Sequence, residues 1–398
     1  MKKNRIFITL VGLSAITTFT ACQGTQQGQN VGQTSTIIIN QPVTSPVPVS
    51  VVSTPTPTPI PSPTAIPTPP PVEFTSVITL AGTGEKGYLD GTQKTAKFNA
   101  PFSVAVDKSD NVFVADIANH VIRKIDPNGN TSTFAGKAEQ KGFADGAGTA
   151  AQFNEPNGLI FDKAGNLYVA DSRNYRIRKI DPLGNVTTIA GTGEQGFGDG
   201  PALEAKFDDP MGMVFDAQEN LYIVDEANNK IRKIDTNGNV STYAGSGVKG
   251  NADGSQTTAQ FNSPSAITMD SKGNFYVLEF NNHVLRKIDA QGNVTTFAGS
   301  RIQGLVDGKG TIAQFYYPQG ISIDEYDNIY VADSYNNRIR KIDGEGNVST
   351  IAGSGEGFLD AIPVAAKFKI PSGLAFDIKG NLYVADTDNN AIRKLQRK

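Results

Sequence analysis

The chain has one cysteine, Cys22, and two histidines, His120 and His283, among 398 residues. A single cysteine excludes an intrachain disulfide. Two histidines far apart in sequence do not readily supply a Ser/His/Asp nucleophilic set. Beyond residue 72 there is no basic run except recurring Arg-Lys pairs, which argues against a nucleic-acid partner, because phosphate backbones need clustered cations. No D-x-D-x-D spacing accompanies the Asp-Gly pairs of the chain, so no calcium loop of that type is present and calcium stays only a candidate ion. Its G-x-G sequences are not followed by a long helical pattern, which sets aside a phosphate loop.

What the chain has is repetition, and repetition decides the fold first. The arginine of an I-R-K phrase falls at Arg123, Arg178, Arg232, Arg286, Arg340 and Arg393, in steps of 55, 54, 54, 54 and 53 residues. An F-x-x-P phrase begins at Phe98, Phe153, Phe207, Phe261, Phe315 and Phe368. An acidic residue closes a Y-V-A-D-like phrase at Asp116, Asp171, Asp225, Glu279, Asp333 and Asp386. Each unit reads as four short strands, as in 158–162, 167–171, 176–181 and 186–191, separated by Gly- and Asn-rich turns. Four antiparallel strands repeated at this length describe a β-propeller blade.

The two ends of the repeat region complement each other. VITLAG at 77–82 matches the phrase that elsewhere follows I-R-K, and the last copy, IRKL at 392–395, lacks it. The expected fold is therefore all-β: a six-bladed β-propeller of four antiparallel strands per blade, closed by the N-terminal strand completing the C-terminal blade. A solenoid would use capping repeats instead.

Residues 1–22 carry Lys2, Lys3 and Arg5 before an uncharged, largely apolar stretch, a secretory signal pattern. It ends in Phe-Thr-Ala-Cys at 19–22, which resembles a bacterial lipoprotein lipobox, with Phe19 where that motif usually has Leu. The resemblance implies lipid attachment at Cys22 and stable membrane anchoring through several acyl chains. The other reading is ordinary signal cleavage with an incidental thiol. Removing the leader leaves 33 of 36 basic residues against 39 acidic ones, a net charge of about −6. Residues 23–72 begin with Gln, Gly and Asn and become a Pro/Thr/Ser-rich tract that favours solvated polyproline II. At ~3.1 Å per residue its Pro-rich half reaches ~100 Å, a stalk for the ring at 73–398.

The units resemble the NHL repeat, carried by VADIANHVIRKID at 114–126, YVADSRN with RIRKID at 168–181, and VADSYNNRIRKID at 331–343. The resemblance implies a six-bladed propeller, closed in several members by strands from both termini. It spans functions from protein or RNA binding to peptide-amidating lyase chemistry. Those lyases use several histidines around a metal, a set this chain lacks. Fold alone therefore does not assign the function.

The sixfold residues read as structural. His120 and His283 hold one repeat position in blades one and four, across the ring from each other, where other blades have Tyr175, Asn229, Asn337 and Asn390. The recurring carboxylate, the Asn three residues on and the marker arginine suit a buried ion pair between blades. The aspartate of each Asp-Gly pair (Asp90, Asp145, Asp199, Asp253, Asp307, Asp360) suits a turn capping a short helical turn. Recognition is expected on the face carrying the second turns and the long blade-to-blade connections. There the residues around each F-x-x-P proline vary, and Glu155, Asn157, Asp208, Asp209, Met211, Tyr316, Tyr317 and Gln319 form the candidate ligand-binding rim.

The functional expectation is an exported, envelope-anchored, monomeric ring. It binds a protein, peptide or glycan at that face and has no catalytic set. The alternative is a metal-dependent hydrolase or lyase of the lactonase type at the central channel. RNA binding is disfavoured by the acidic balance and by export.

Overall fold

The computed structural model describes residues 73–398. The leader, Cys22 and the stalk at 23–72 lie outside the described residues. Six antiparallel sheets make up the ring. In blade one the strands are Pro101–Val106, Val112–Asp116, Val121–Ile125 and Thr131–Ala135. Blade six uses Pro371–Phe376, Leu382–Asp386 and Ala391–Arg397, and takes its fourth strand from Phe74–Ala81 at the other end of the ring. In that pairing Val77 lies opposite Leu395 and Ala81 opposite Ile392. The complementary fragments seen in the sequence are thus one sheet.

The second strands of five blades are buried along their whole length, as in Val112–Asp116 and Leu221–Asp225, and that of blade two departs only at half-buried Tyr168. This explains why they lack clean alternation: neighbouring blades cover both faces. Each hydrophobic cluster is shared by two blades. One joins Phe113 and Ile122 of blade one to Leu167, Val169 and Ile180 of blade two. Another joins Tyr383 and Ile392 of blade six to Val104 and Val114 of blade one, which closes the circle. The phenylalanine of each F-x-x-P phrase is fully buried in one of these interfaces.

Two expectations are corrected. Blades two to five carry a short fifth strand, Gly146–Ala147 in blade two, paired to the outer strand. Blades one and six have a single bridge there, Gly91 to Thr131 and Val77 to Ala361. These segments belong to the long connections. A connection therefore leaves one face, descends along the outer edge of the next blade and returns, rather than standing on the face. An outer strand has unpaired backbone groups, and the connection satisfies them. The second correction concerns the aspartate of the Asp-Gly pair. The short 3-10 turns at Gly148–Ala150 and Gly310–Ile312 receive no side-chain cap. Asp145 instead accepts from Arg178 Nη2 at 2.6 Å and from the Thr188 N–H and hydroxyl, both at 3.1 Å.

Candidate functional site

Each blade is locked by a buried carboxylate. In blade one, Asp116 accepts from Asn119 Nδ2 at 2.8 Å, Arg123 Nη1 at 2.8 Å and the Asn99 N–H at 2.8 Å. Asn119 also donates to the Gly87 carbonyl, and Arg123 reaches the Lys97 and Leu89 carbonyls and Asp90. All six marker arginines are fully buried. Arg123 also stacks on Tyr88 and Phe98 at 4.9 and 5.0 Å. Burial pushes Asp116, Asp171, Asp333 and Asp386 up to about 6, against the pull of their arginines, so all four are ionised at neutral pH. Blade four does the same with Glu279. Its Oε1 takes Arg286, and its Oε2 takes Asn282 and the Asn262 N–H. Asp116 takes Asn119 and Arg123 on one oxygen and the Asn99 N–H on the other, whereas Glu279 regroups the donors and leaves Arg286 alone on Oε1.

The histidines latch blades together. His120 Nδ1 accepts the Glu155 N–H of blade two at 3.2 Å, and His283 Nδ1 accepts the Tyr317 N–H of blade five at 3.1 Å. Asn229, Asn337 and Asn390 make the same bond through Oδ1 to Ser263, Ile370 and Ala100. The residue before the proline is left-handed in every blade, with φ between 47° and 54°, and in five blades it receives this latch. Burial holds both histidines below their ordinary pKa, which keeps the accepting nitrogen free of a proton.

The candidate rim divides into three groups. Pro101 pairs with Asp116, so the starts of the inner strands and the second turns share one face, here the upper face. In the first group, Glu155 and Asp209 clamp Arg173 at 3.2 and 2.7 Å, and Asp208 accepts from Gln195 at 3.0 Å. These carboxylates are engaged in ion pairs and hydrogen bonds within the ring. In the second group, Asn157 and Gln319 line the central channel with residues from all six inner strands, around a cavity of about 80 Å³, room for a few waters. Gln319 Oε1 is buried there without a protein partner. A Cβ added at Gly320 would lie 1.8 Å from the Ser372 carbonyl oxygen, so the inner strands nearly touch at the waist. Met211 packs into the interface of blades three and four.

Tyr316 and Tyr317 form the third group. Phe280 stacks on Tyr317 at 4.5 Å, Tyr316 lies 5.1 Å from Tyr317, and Tyr335 meets both tyrosines at 5.4 and 5.1 Å. His283 abuts Tyr317 edge-on at 4.6 Å. Sequence spacing marks neither Phe280 nor Tyr335 as a rim residue. The signal for Tyr335 was its place in the second turn of blade five, where the equivalent residues are Ala118, Arg173, Ala227, Asn281 and Asp388. Among the described residues no three His, Cys, Asp or Glu side chains gather as a metal-holding group.

The family model for the NHL repeat matches residues 153–180, 315–342 and 368–395, the marker segments of blades two, five and six. The chain is an NHL-repeat protein. The NHL ring is 32% identical over 322 residues to protein SUPPRESSOR OF QUENCHING 1 of Arabidopsis thaliana, covering 75% of this chain and 30% of that protein. It is 29% identical over 334 residues to NHL repeat-containing protein 2 of Homo sapiens, covering 74% and 46%. The chain thus spans less than half the length of these relatives. Among solved structures, an auxiliary nutrient binding protein of Bacteroides ovatus superposes with a TM-score of 0.62 at 17% identity, covering 82% of this chain and 78% of that one. At that identity the likeness concerns the fold.

Proposed function

We propose that the NHL ring is a binding module that takes a protein, peptide or glycan ligand on its upper face, with the blade four–five aromatic cluster as anchor. The observation that carries this reading is the departure from sixfold symmetry there. Tyr316 and Tyr317 are partly exposed and Tyr335 is 36% exposed. None of their hydroxyls is hydrogen-bonded within the ring. Rings held by a rigid scaffold and left partly open to solvent are what recognition uses. By contrast, the recurrent acids serve the architecture: each is held by arginine, amide and backbone donors. This weighs against the metal-dependent hydrolase alternative, whose ligands would have to come from unlike carboxylates and amides converging on the channel. A nutrient-binding protein of similar fold is compatible with the binding reading.

In this reading the ring is displayed outside the cytoplasm. Cys22 carries the lipid anchor and residues 23–72 form the stalk. Cys22→Ser would then move the protein from the membrane to the soluble fraction, and retention in the membrane would refute the anchor. The binding face is tested by replacing Tyr316, Tyr317 and Tyr335 together with alanine, serine and alanine. Extracellular proteins, peptides and glycans retained by the immobilised protein should be lost from the variant at unchanged melting temperature. An unchanged set of retained ligands would sink the assignment.

A further inference from the structure

The aromatic cluster has a polar side that bears on the class of its ligand. Asp388, in the equivalent turn of blade six, lies close enough to Tyr335 that its charge raises the phenol pKa, second to burial, with smaller contributions from Tyr316 and Tyr317. Three tyrosine rings in mutual contact, with no hydroxyl bonded within the propeller, and an exposed carboxylate from the equivalent turn of the next blade therefore share this part of the upper face. The carboxylate side chain accepts no hydrogen bond from the ring. The nearest cation, Lys369, is held by Glu356 at 3.2 Å.

We propose that this patch is a carbohydrate subsite for a neutral pyranose. The sugar's C–H face would lie on the exposed face of Tyr335, with its hydroxyls donating to Asp388 and exchanging hydrogen bonds with the phenols. The inference rests on the upper-face reading and names its ligand class. Three observations select a sugar. First, ring centroids 4.5 to 6.4 Å apart mean that the rings touch one another, so they enclose no box for a quaternary ammonium, which needs ring faces on several sides of one point. Second, Lys369, whose charge reaches Asp388, is itself paired with Glu356, and the two carboxylates repel an anionic ligand. Third, a protein anchor needs a desolvated apolar pocket. Here the flanks are polar: Asp388, Lys369, and Asn281, whose amide donates to Ser263 Oγ at 2.6 Å. A sugar, apolar on its faces and polar at its rim, matches aromatic planes beside hydroxyls and a carboxylate.

Tyr317 also fits a selected role. It holds the left-handed position before the proline, at φ 47°, which is strained for a bulky side chain. Other blades place Ala100, Glu155, Asp209, Ser263 and Ile370 there, so the turn itself does not require an aromatic ring.

The test uses the full chain, which contains no tryptophan, so its fluorescence reports tyrosine directly. Neutral gluco-, xylo-, manno- and galacto-oligosaccharides are titrated, with choline as a control, and hits are repeated by calorimetry. At least one saccharide should bind saturably. Tyr335→Ala and Asp388→Asn should each weaken it about tenfold or more at unchanged melting temperature. The proposal is overturned if no saccharide binds, if choline binds more tightly, or if both variants bind like the parent. If a protein or peptide captured by the upper face depends on Tyr335 while no saccharide binds, the ligand class is wrong and the face reading stands. If a captured ligand survives the triple tyrosine substitution, the face reading fails as well.

Discussion

At the residue scale, repetition distinguishes structural side chains from functional ones. Asp116, Asn119 and Arg123 recur in every blade because every blade must satisfy a buried arginine, and a buried charge without partners is strongly destabilising. That reading was legible in the sequence. What sequence could not give was the full donor set: carbonyls such as Lys97 O and Leu89 O come from a connection whose path follows from packing. The histidines give a prediction. Their folded pKa values lie below the ordinary 6.5, so the unfolded chain takes protons first as pH falls. Their contribution to stability is present above pH 6.5 and is lost as pH falls toward the folded values. The buried aspartates act oppositely. With folded values of about 6 against the ordinary 3.8, they add stability as pH falls through 6 toward 4. The aspartates begin to take up protons above pH 6, so the histidine share is read as the difference between the parent and a variant lacking both histidines. Protonating either histidine removes the nitrogen lone pair that accepts the latch, so this contribution falls as pH drops below 6.5. His120→Asn with His283→Asn keeps the latch, as blades three, five and six do, so the variant's melting temperature should rise relative to the parent's as pH falls from about 7.5 to 6. An unchanged slope would remove the histidines from the account.

At the element scale, strand identity was legible because β-branched and aromatic runs end at Gly-Asn turns. The short fifth strand was not, since two residues such as Gly146–Ala147 carry no pattern of their own and pair only because an outer edge is available. The divided rim has a similar cause. Glu155, Asp208 and Asp209 sit at variable positions, yet Arg173 and Gln195 engage them, and sequence spacing does not reveal such partners. The closing strand was legible, and it carries a prediction. Val77 and Ala81 are buried, and removal of 74–82 would uncover Ile392 and Leu395 as well. Burial of one aliphatic side chain is worth roughly 1.5–3 kcal/mol, so the deletion should cost about 5 kcal/mol or more. Urea unfolding at the parental midpoint would contradict both the pairing and the count of six blades.

At the scale of the whole molecule, closure is a topological property and can be moved. The two ends of the ring meet: Phe74 pairs with Arg397, and the Lys398 N–H donates to the Glu73 carbonyl at 3.0 Å. A short linker can therefore join them without distorting the sheet, and new ends can be opened elsewhere. An opening at Gly129–Asn130, in the turn before the outer strand of blade one, keeps the present logic, because one blade is again built from both ends of the chain. An opening at Lys137, in the connection between blades one and two, lets each blade form from one continuous segment. The ring is then held at that seam by side-chain packing between Phe113, Phe134 and Phe161 and their neighbours and by isolated hydrogen bonds such as the His120 latch, with no strand shared across it. If shared strands, rather than the apolar interfaces alone, keep the ring shut, the first permutant should melt within a few degrees of the parent. The second should melt lower and exchange its seam amides faster. Equal melting temperatures would mean that the six apolar interfaces suffice.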